Sequence, residues 1–488
     1  MKRFPTLYQV DTRDWLYRCS VEAGEPVTLD RIPDTQLDRL SARGFDLLWP
    51  LGIWQTGEAG ANVSRCNPDW QESFCRALPN LMPAEITGSP YAITDYQVHR
   101  QFGGPEALQV LRERLSRRGS RLILDFVPNH VALDHEWTRT HPEFLMDGSA
   151  ELLAREPANY VQIEAGGEAR IYAYGRDPYF SGWPDTLQLD YSNPCLHEEM
   201  TQILERIASQ CDGVRCDMAM LILPQVFQRT WGRAMKPFWP AAASRIKKNH
   251  PQFLLIAEAY WGLEWELQQQ GFDYTYDKEL YDRLAHRRAN EVRGHLTAEW
   301  AYQNKSVRFL ENHDEPRAAT AFPGDVGRAA AAVSFFVPGL RLFHDGQLEG
   351  ARIKPSVHLR RRAVEPTDPQ IAAFYERVLR ALEEEVFQGD WRILDCAAAW
   401  EGNPKASDFL CFSWSEDGRF AALVTVNFSD QQGQCYVRLP MLGSAGRLTF
   451  RDLLSEDVYV RDIAELAARG LYLDSAAWGS HIFLVEYQ

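Results

Sequence analysis

Arg121–Val127, RLILDFV, follows directly on Gly104–Gly119, GPEALQVLRERLSRRG. The second stretch carries apolar residues at helical spacing, begins at Gly-Pro and stops at Gly119. The first is a short and nearly continuous apolar run. A helix feeding a strand that lacks polar–apolar alternation implies a parallel strand covered on both faces. The same unit recurs along the chain. The other apolar runs are TLYQV (Thr6–Val10), FDLLWPLGIW (Phe45–Trp54), CDGVRCD (Cys211–Asp217), FLLIAEAYW (Phe253–Trp261), FDYTYD (Phe272–Asp277), SVRFLEN (Ser306–Asn312) and GLRLFHDG (Gly339–Gly346). Helical stretches such as NPCLHEEMTQILERIASQ (Asn193–Gln210) lie between them. Eight such units over about 385 residues predict an α/β fold, a closed (β/α)8 TIM barrel with insertions. A doubly wound open sheet is the alternative, and would ordinarily be shorter.

Two connections exceed an ordinary βα loop. From His130 to about Pro184 the chain is rich in Gly, Pro and aromatics, which predicts a small inserted subdomain after strand three, over the barrel mouth. Ile53–Ser89 is expected to be a second long loop. After about Gly389 the pattern changes to strand, turn, strand. In DFLCFSWSEDGRFAALVTVNFSD (Asp408–Asp430) the Asp-Gly pair is a hairpin signal, and QCYVRLP, GRLTFRDLL and GSHIFLVEYQ continue in the same manner. The expected division is residues 1–130 and 185–388 for the barrel, 131–184 for the insertion and 389–488 for a C-terminal antiparallel β domain.

The 488 residues carry 52 basic and 67 acidic side chains, a net charge of −15, which argues against nucleic acid as a partner. No apolar run is long enough for a transmembrane helix, and none follows the basic N-terminus, so a cytoplasmic protein without a membrane partner is expected. The 9 cysteines lack metal-type spacing and read as mostly free thiols, with Cys66 and Cys75 left open as a pair. His130, His135 and His141 are too irregularly spaced for a metal site. The oligomeric state is not readable from the sequence.

In a barrel of this kind the active site lies at the carboxyl ends of the strands. Strand three ends with Asp125, Asn129 and His130, strand four with Arg215 and Asp217, strand five with Glu258, and strand seven with His313 and Asp314. FLENHDEPR (Phe309–Arg317) is accordingly read as one wall of a shared acidic pocket. Two carboxylates flanking a bond are what glycoside hydrolysis needs, one ionised and one kept protonated by burial and like charge. Arg215 precedes Asp217 by two residues on one strand and so shares its face. That spacing suits a salt bridge, or support for a nucleophilic carboxylate.

DFVPNH, GVRCDMAM, IAEAYWG and FLENHDEPR, in this order and at these separations, resemble the four sequence regions of the α-amylase family, glycoside hydrolase family thirteen. GSPYAITDYQVHRQFGG (Gly88–Gly104) and LQLDYSNP (Leu187–Pro194) resemble two further family segments, so the likeness extends over about residues 1–385. The resemblance implies Asp217 as nucleophile, Glu258 as acid and then base, and Asp314 as stabiliser of a distorted sugar. It implies substrate-binding roles for Tyr91, His130, Arg215 and His313. No cofactor is required. Calcium enters through Asn129, which stands where calcium-binding members have a ligand. Two departures bear on the substrate: Met220 and Leu221 replace a polar Lys-His pair of many starch-degrading members, and Ala92 stands where many have aspartate. Both point to a small α-glucoside or short malto-oligosaccharide. The alternatives are a transglycosylase, a glucosyl or maltosyl transferase or an isomerase with the same site, and, from another class, a non-catalytic binding relative. Among the 15 tryptophans, Trp54, Trp137, Trp183 and Trp261 are candidate sugar-stacking faces.

Overall fold

The computed structural model describes residues 2–165, 167–439 and 446–488. Eight strands close a parallel barrel: β1 (Thr6–Asp11), β2 (Leu47–Leu51), β3 (Arg121–Phe126), β4 (Gly213–Cys216), β5 (Leu254–Ala257), β6 (Tyr274–Tyr276), β7 (Ser306–Arg308) and β8 (Leu340–His344). Each pairs with its sequence neighbour, and β8 pairs with β1. All eight coincide with the apolar runs, whose side chains are buried on both faces because helices cover the outer one. Register aligns the chemistry. Arg215 lies beside Asp125 on β3 and Ile256 on β5, so the residues that end these strands reach one rim.

Ile53–Ser89 is not the extended loop that its Gly, Asn and Pro content suggested. It folds into helices Glu58–Cys66 and Pro68–Ala77. The Asn-Pro pair starts the second helix: the Asn67 side chain accepts from the Asp69 and Trp70 amides, and Pro68 takes the first helical position. Cys66 and Cys75 are both exposed free thiols, not a pair, and the other seven cysteines are free as well. Within the long connection from β3 to β4, strand His130–Ala132 pairs with Thr186–Gln188, and Tyr160–Ala165 pairs with Glu168–Ala173.

The C-terminal residues form a six-stranded and a three-stranded antiparallel sheet. The hairpin at Asp417–Gly418 takes positive φ at both residues, 50° and 75°, as a tight two-residue turn of this hand requires. The two sheets enclose a core that includes Phe409, Leu423, Leu448 and Phe483. On the barrel side, Trp414 packs edge-on to Phe4 and donates its indole N–H to the Phe336 carbonyl (2.9 Å). Pro440, which ends QCYVRLP, lies outside the described residues. No helix among the described residues is long and apolar enough to cross a membrane.

Candidate active site

Arg215 is the centre of the site. Its guanidinium is 1% exposed, and all three carboxylates predicted from the sequence surround it. Nη1 donates to Asp217 Oδ1 at 2.5 Å, and Nη2 lies 2.8 Å from Glu258 Oε2 and 3.9 Å from Asp314 Oδ2. Trp49, Tyr91 and Tyr276 present their rings to the same cation within 5.3–5.6 Å. A buried cation would be costly alone; here it is paired on one side and faced by aromatic rings on the other.

The carboxylates differ in environment. Asp217 and Glu258 are buried, whereas the Asp314 side chain is 45% exposed. Glu258 accepts from the Met218 amide (2.6 Å) and the Tyr260 hydroxyl (2.8 Å). Burial pushes its carboxyl up, to about 8, against the pull of Arg215 and with the help of the Asp217 and Asp314 charges. The Glu258 carboxyl is thus held protonated near neutral pH, beside other acids. Asp314 is set by its own turn, in which Asn312 Oδ1 accepts from the Asp314 and Glu315 amides (2.8 and 2.9 Å).

His313 is held on both ring nitrogens. Gln9 Nε2 donates to Nδ1 (2.7 Å), which places the ring hydrogen on Nε2, facing the Tyr91 hydroxyl (2.9 Å) and Asp314 Oδ2 (3.0 Å). Burial lowers its pKa to about 3, so the ring is neutral. His130 is buried against Trp183, its pKa lowered by the same cause, and among the described residues its Nε2 has no hydrogen-bond partner. Tyr91 owes its position to Gly52 (φ +74°), where a Cβ would stand 2.4 Å from Pro90 Cβ. The Gly52 amide is in turn fixed on Asp125 Oδ2 (2.7 Å).

Tyr91, His130, Asp217, Glu258, His313 and Asp314 thus line one cavity of about 270 Å3, with Arg215 against its carboxylates. Its remaining lining includes Trp70, Trp183, Asp185, Met218 and His358. Of these, only Trp183 stands out in the sequence. Trp70 and His358 meet ring against ring (4.8 Å) from a helix and a loop that carry no motif. Gln9 and Tyr260 also escape sequence reasoning, since each acts through another residue's side chain.

Several expectations need correction. Met220 and Leu221 do not border the cavity; they are buried in the barrel core. Met218 takes φ +42°, and this turn sends Ala219–Ile222 into the interior, leaving Met218 itself at the cavity wall. Trp54 and Trp137 are core residues. The negative charge of FLENHDEPR divides by direction. Glu311 is fully buried on Arg317 (2.7 Å) and His344 (3.0 Å), and Glu315 faces Lys278 (3.5 Å), so only His313 and Asp314 belong to the pocket.

Asn129 does not offer its oxygen to a cation. It forms a reciprocal amide pair with Gln188, at 3.2 and 3.1 Å, and nearby Asp190 is taken by Arg233. Among the described residues no group of three or more His, Cys, Asp or Glu side chains is arranged to hold a metal ion. The residues around Asn129 therefore do not fit calcium.

The family model "Alpha amylase, catalytic domain" matches residues 83–354, and the chain belongs to that family of glycoside hydrolases. Alpha-amylase 3 of Dictyoglomus thermophilum is 24% identical over 305 residues, covering 57% of this chain and 58% of the relative. The trehalose synthase/amylase TreS of Mycobacterium tuberculosis is 26% identical over 211 residues, covering 39% and 34%. The chain thus spans little more than half the length of the first of these relatives, and about a third of the second. In fold, it matches the maltogenic α-amylase AmyB of Thermotoga neapolitana with a TM-score of 0.70 at 18% identity, over 100% of this chain and 99% of that one. A mutant form of the trehalulose synthase MutB matches with a TM-score of 0.66 at 17% identity, over 99% of each chain.

Proposed function

We propose that this chain is a retaining α-glycosidase acting on α-glucosides or short malto-oligosaccharides. The observation that carries the reading is one buried guanidinium gripping Asp217 and Glu258 on its two arms, with Asp314 at its edge. In this reading Asp217 attacks the anomeric carbon as Glu258 gives its proton to the departing glycosidic oxygen. Water then attacks the glycosyl-Asp217 ester, Glu258 takes the water's proton, and Asp217 leaves as carboxylate. Asp314 faces the oxocarbenium-like charge, while Tyr91, His130 and His313 meet ring hydroxyls. The shared fork on Arg215 favours the close carboxyl spacing of retaining enzymes, about 5–5.5 Å, over the roughly 6.5–9.5 Å of inverting ones. The expected first product from an α-glucoside is the α-anomer. Proton NMR recorded before mutarotation reads this directly, and an initial β-anomer would refute the mechanism.

We further propose residues 1–130 with 185–388, 131–184 and 389–488 as the functional divisions, and a cytoplasmic location, which the nine free thiols support. The preference for short substrates now rests on the cavity, not on Met220 and Leu221. Its volume of about 270 Å3 is small for a ligand cleft, which is typically about 300–1,000 Å3. Trp183 from the insertion with Asp185 just after it, and Val357 and His358 from the segment after β8, wall it from two sides. We expect kcat/KM to level off beyond about three glucose units, once added sugars find no further subsite contact. Maltose through maltoheptaose, compared with soluble starch, makes the test; a steady rise ending highest on starch would mean an open groove. Adding glucose or fructose as acceptor in the same assays separates hydrolysis from the transglycosylase and isomerase readings, for which the likeness to TreS is the motive.

A further inference from the structure

Arg13 is a buried cation that touches no carboxylate among the described residues. It lies in the first turn of helix Thr12–Ala23, just after β1, and is 8% exposed. Its guanidinium donates to uncharged oxygens alone. Nη1 reaches Thr87 Oγ1 (3.0 Å), the Gly88 carbonyl (2.6 Å) and the Val357 carbonyl (3.4 Å), and Nη2 reaches Thr56 Oγ1 (3.2 Å). The acid whose charge acts on it, Asp11, is occupied as the helix cap. It accepts from the Asp14 amide (3.0 Å), and burial pushes its carboxyl up to about 7. Buried arginines elsewhere, such as Arg215, Arg308 and Arg317, each hold a carboxylate. Arg341 is bound to carbonyls only, but it is sealed in the core. Arg13 instead opens on a cavity of about 380 Å3. An unpaired guanidinium is costly to bury, and an anion entering that cavity would remove the cost.

The cavity shares no lining residue with the candidate active site. Two more arginines, Arg65 and Arg360, line it, and Glu58 is its sole acid. Glu58 is taken by Arg65. Arg360 lies over the Tyr17 ring (5.6 Å), while the neighbouring Glu85 carboxylate is held by Arg361. Tyr17 is one helical turn beyond Arg13 and shares its face, so the two unpaired guanidinium groups border the same end of the cavity. Three arginines against one carboxylate is a local excess of positive charge in a chain of net charge −15. The Tyr17 hydroxyl and the Gln101 side-chain amide, also in the lining, have no hydrogen-bond partner among the described residues.

We propose that this cavity binds a phosphorylated monosaccharide, its phosphate on Arg13 and Arg360 and its sugar hydroxyls toward Tyr17 and Gln101. The planar fork of a guanidinium matches two phosphate oxygens at once, and charge-assisted hydrogen bonds of this kind are the strong ones. The volume leaves room beyond a bare phosphate and falls in the usual range for small-molecule sites, roughly 300–1,000 Å3. The site stands independently of the glycosidase reading.

Calorimetry on the full chain, in buffer free of phosphate and sulfate, tests it with glucose 6-phosphate, glucose and inorganic phosphate. Glucose 6-phosphate is expected to bind at least about tenfold more tightly than glucose, the contribution of hydrogen bonds to a charged group, and more tightly than inorganic phosphate. Arg360→Gln, at an exposed position that the fold does not need, should weaken it about tenfold, and Arg360→Glu further. Arg13→Gln should abolish the preference over glucose. Circular dichroism checks that variant's fold, and the Arg360 pair keeps the test decisive if it unfolds. Equal affinities for glucose and glucose 6-phosphate, or an unchanged affinity for glucose 6-phosphate in Arg360→Glu, would overturn the proposal. Inorganic phosphate binding as tightly as the ester would overturn the sugar half of it.

Discussion

Asp217→Asn is expected to lower kcat by about 10³-fold or more while the protein stays folded. The amide has the shape of the carboxylate but no charge to form the ester with the anomeric carbon, and loss of a nucleophile removes most of the catalytic advantage. The fold should survive for reasons visible around Arg215. The oxygen of the new amide can still accept from Nη1, the Glu258 carboxyl oxygen stays at Nη2 and Asp314 remains as a counter-charge, so the guanidinium is not stranded. The substitution has a second consequence. The Asp217 charge helps to raise the Glu258 pKa, so its removal should lower that pKa, and any residual activity should fade at lower pH than in the parent. The checks are kcat on purified protein, circular dichroism, and the pH profile of whatever turnover remains. A variant with more than a tenth of the parent kcat would take Asp217 out of the role.

The eight strands are legible because buried parallel strands leave continuous apolar runs, and because the barrel's register pins the polar residue ending each run to one rim. Arg215 and Asp217 are legible as partners from their spacing alone, since alternation along a strand puts them on one face. Contacts between residues distant in sequence are not. Nothing near Glu311 announces that Arg317 and His344 will turn it away from the pocket. Nothing near Met220 shows that the turn at Met218 sends it, with Leu221, into the core. Asn67–Pro68 reads equally as loop or as helix start, and the choice falls to helix because Asn67 accepts from two amides of the first turn. Trp70 and His358 reach the cavity only by meeting each other from opposite ends of the barrel sequence.

Glu258→Gln should lower kcat/KM about 10²–10⁴-fold on maltose, the usual contribution of a positioned general acid. On a glucoside with an activated phenol leaving group, the first step needs no proton, so the loss there should be much smaller and should shift to hydrolysis of the ester. The pH dependence is the sharper signature. An acid must enter the reaction protonated, and burial keeps the Glu258 carboxyl protonated up to about 8. For maltose, kcat/KM of the unmutated enzyme should therefore hold through neutral pH and fall as pH rises through about 8, since deprotonation removes the donor. Tyr260→Phe deletes one hydrogen bond to Glu258 Oε1 and should move this limb, whereas a merely structural tyrosine would lower activity equally at every pH. In Glu258→Gln the alkaline limb should vanish, because the titrating group is gone. A variant that keeps the limb in place would assign it to another group and remove Glu258 from the acid's role.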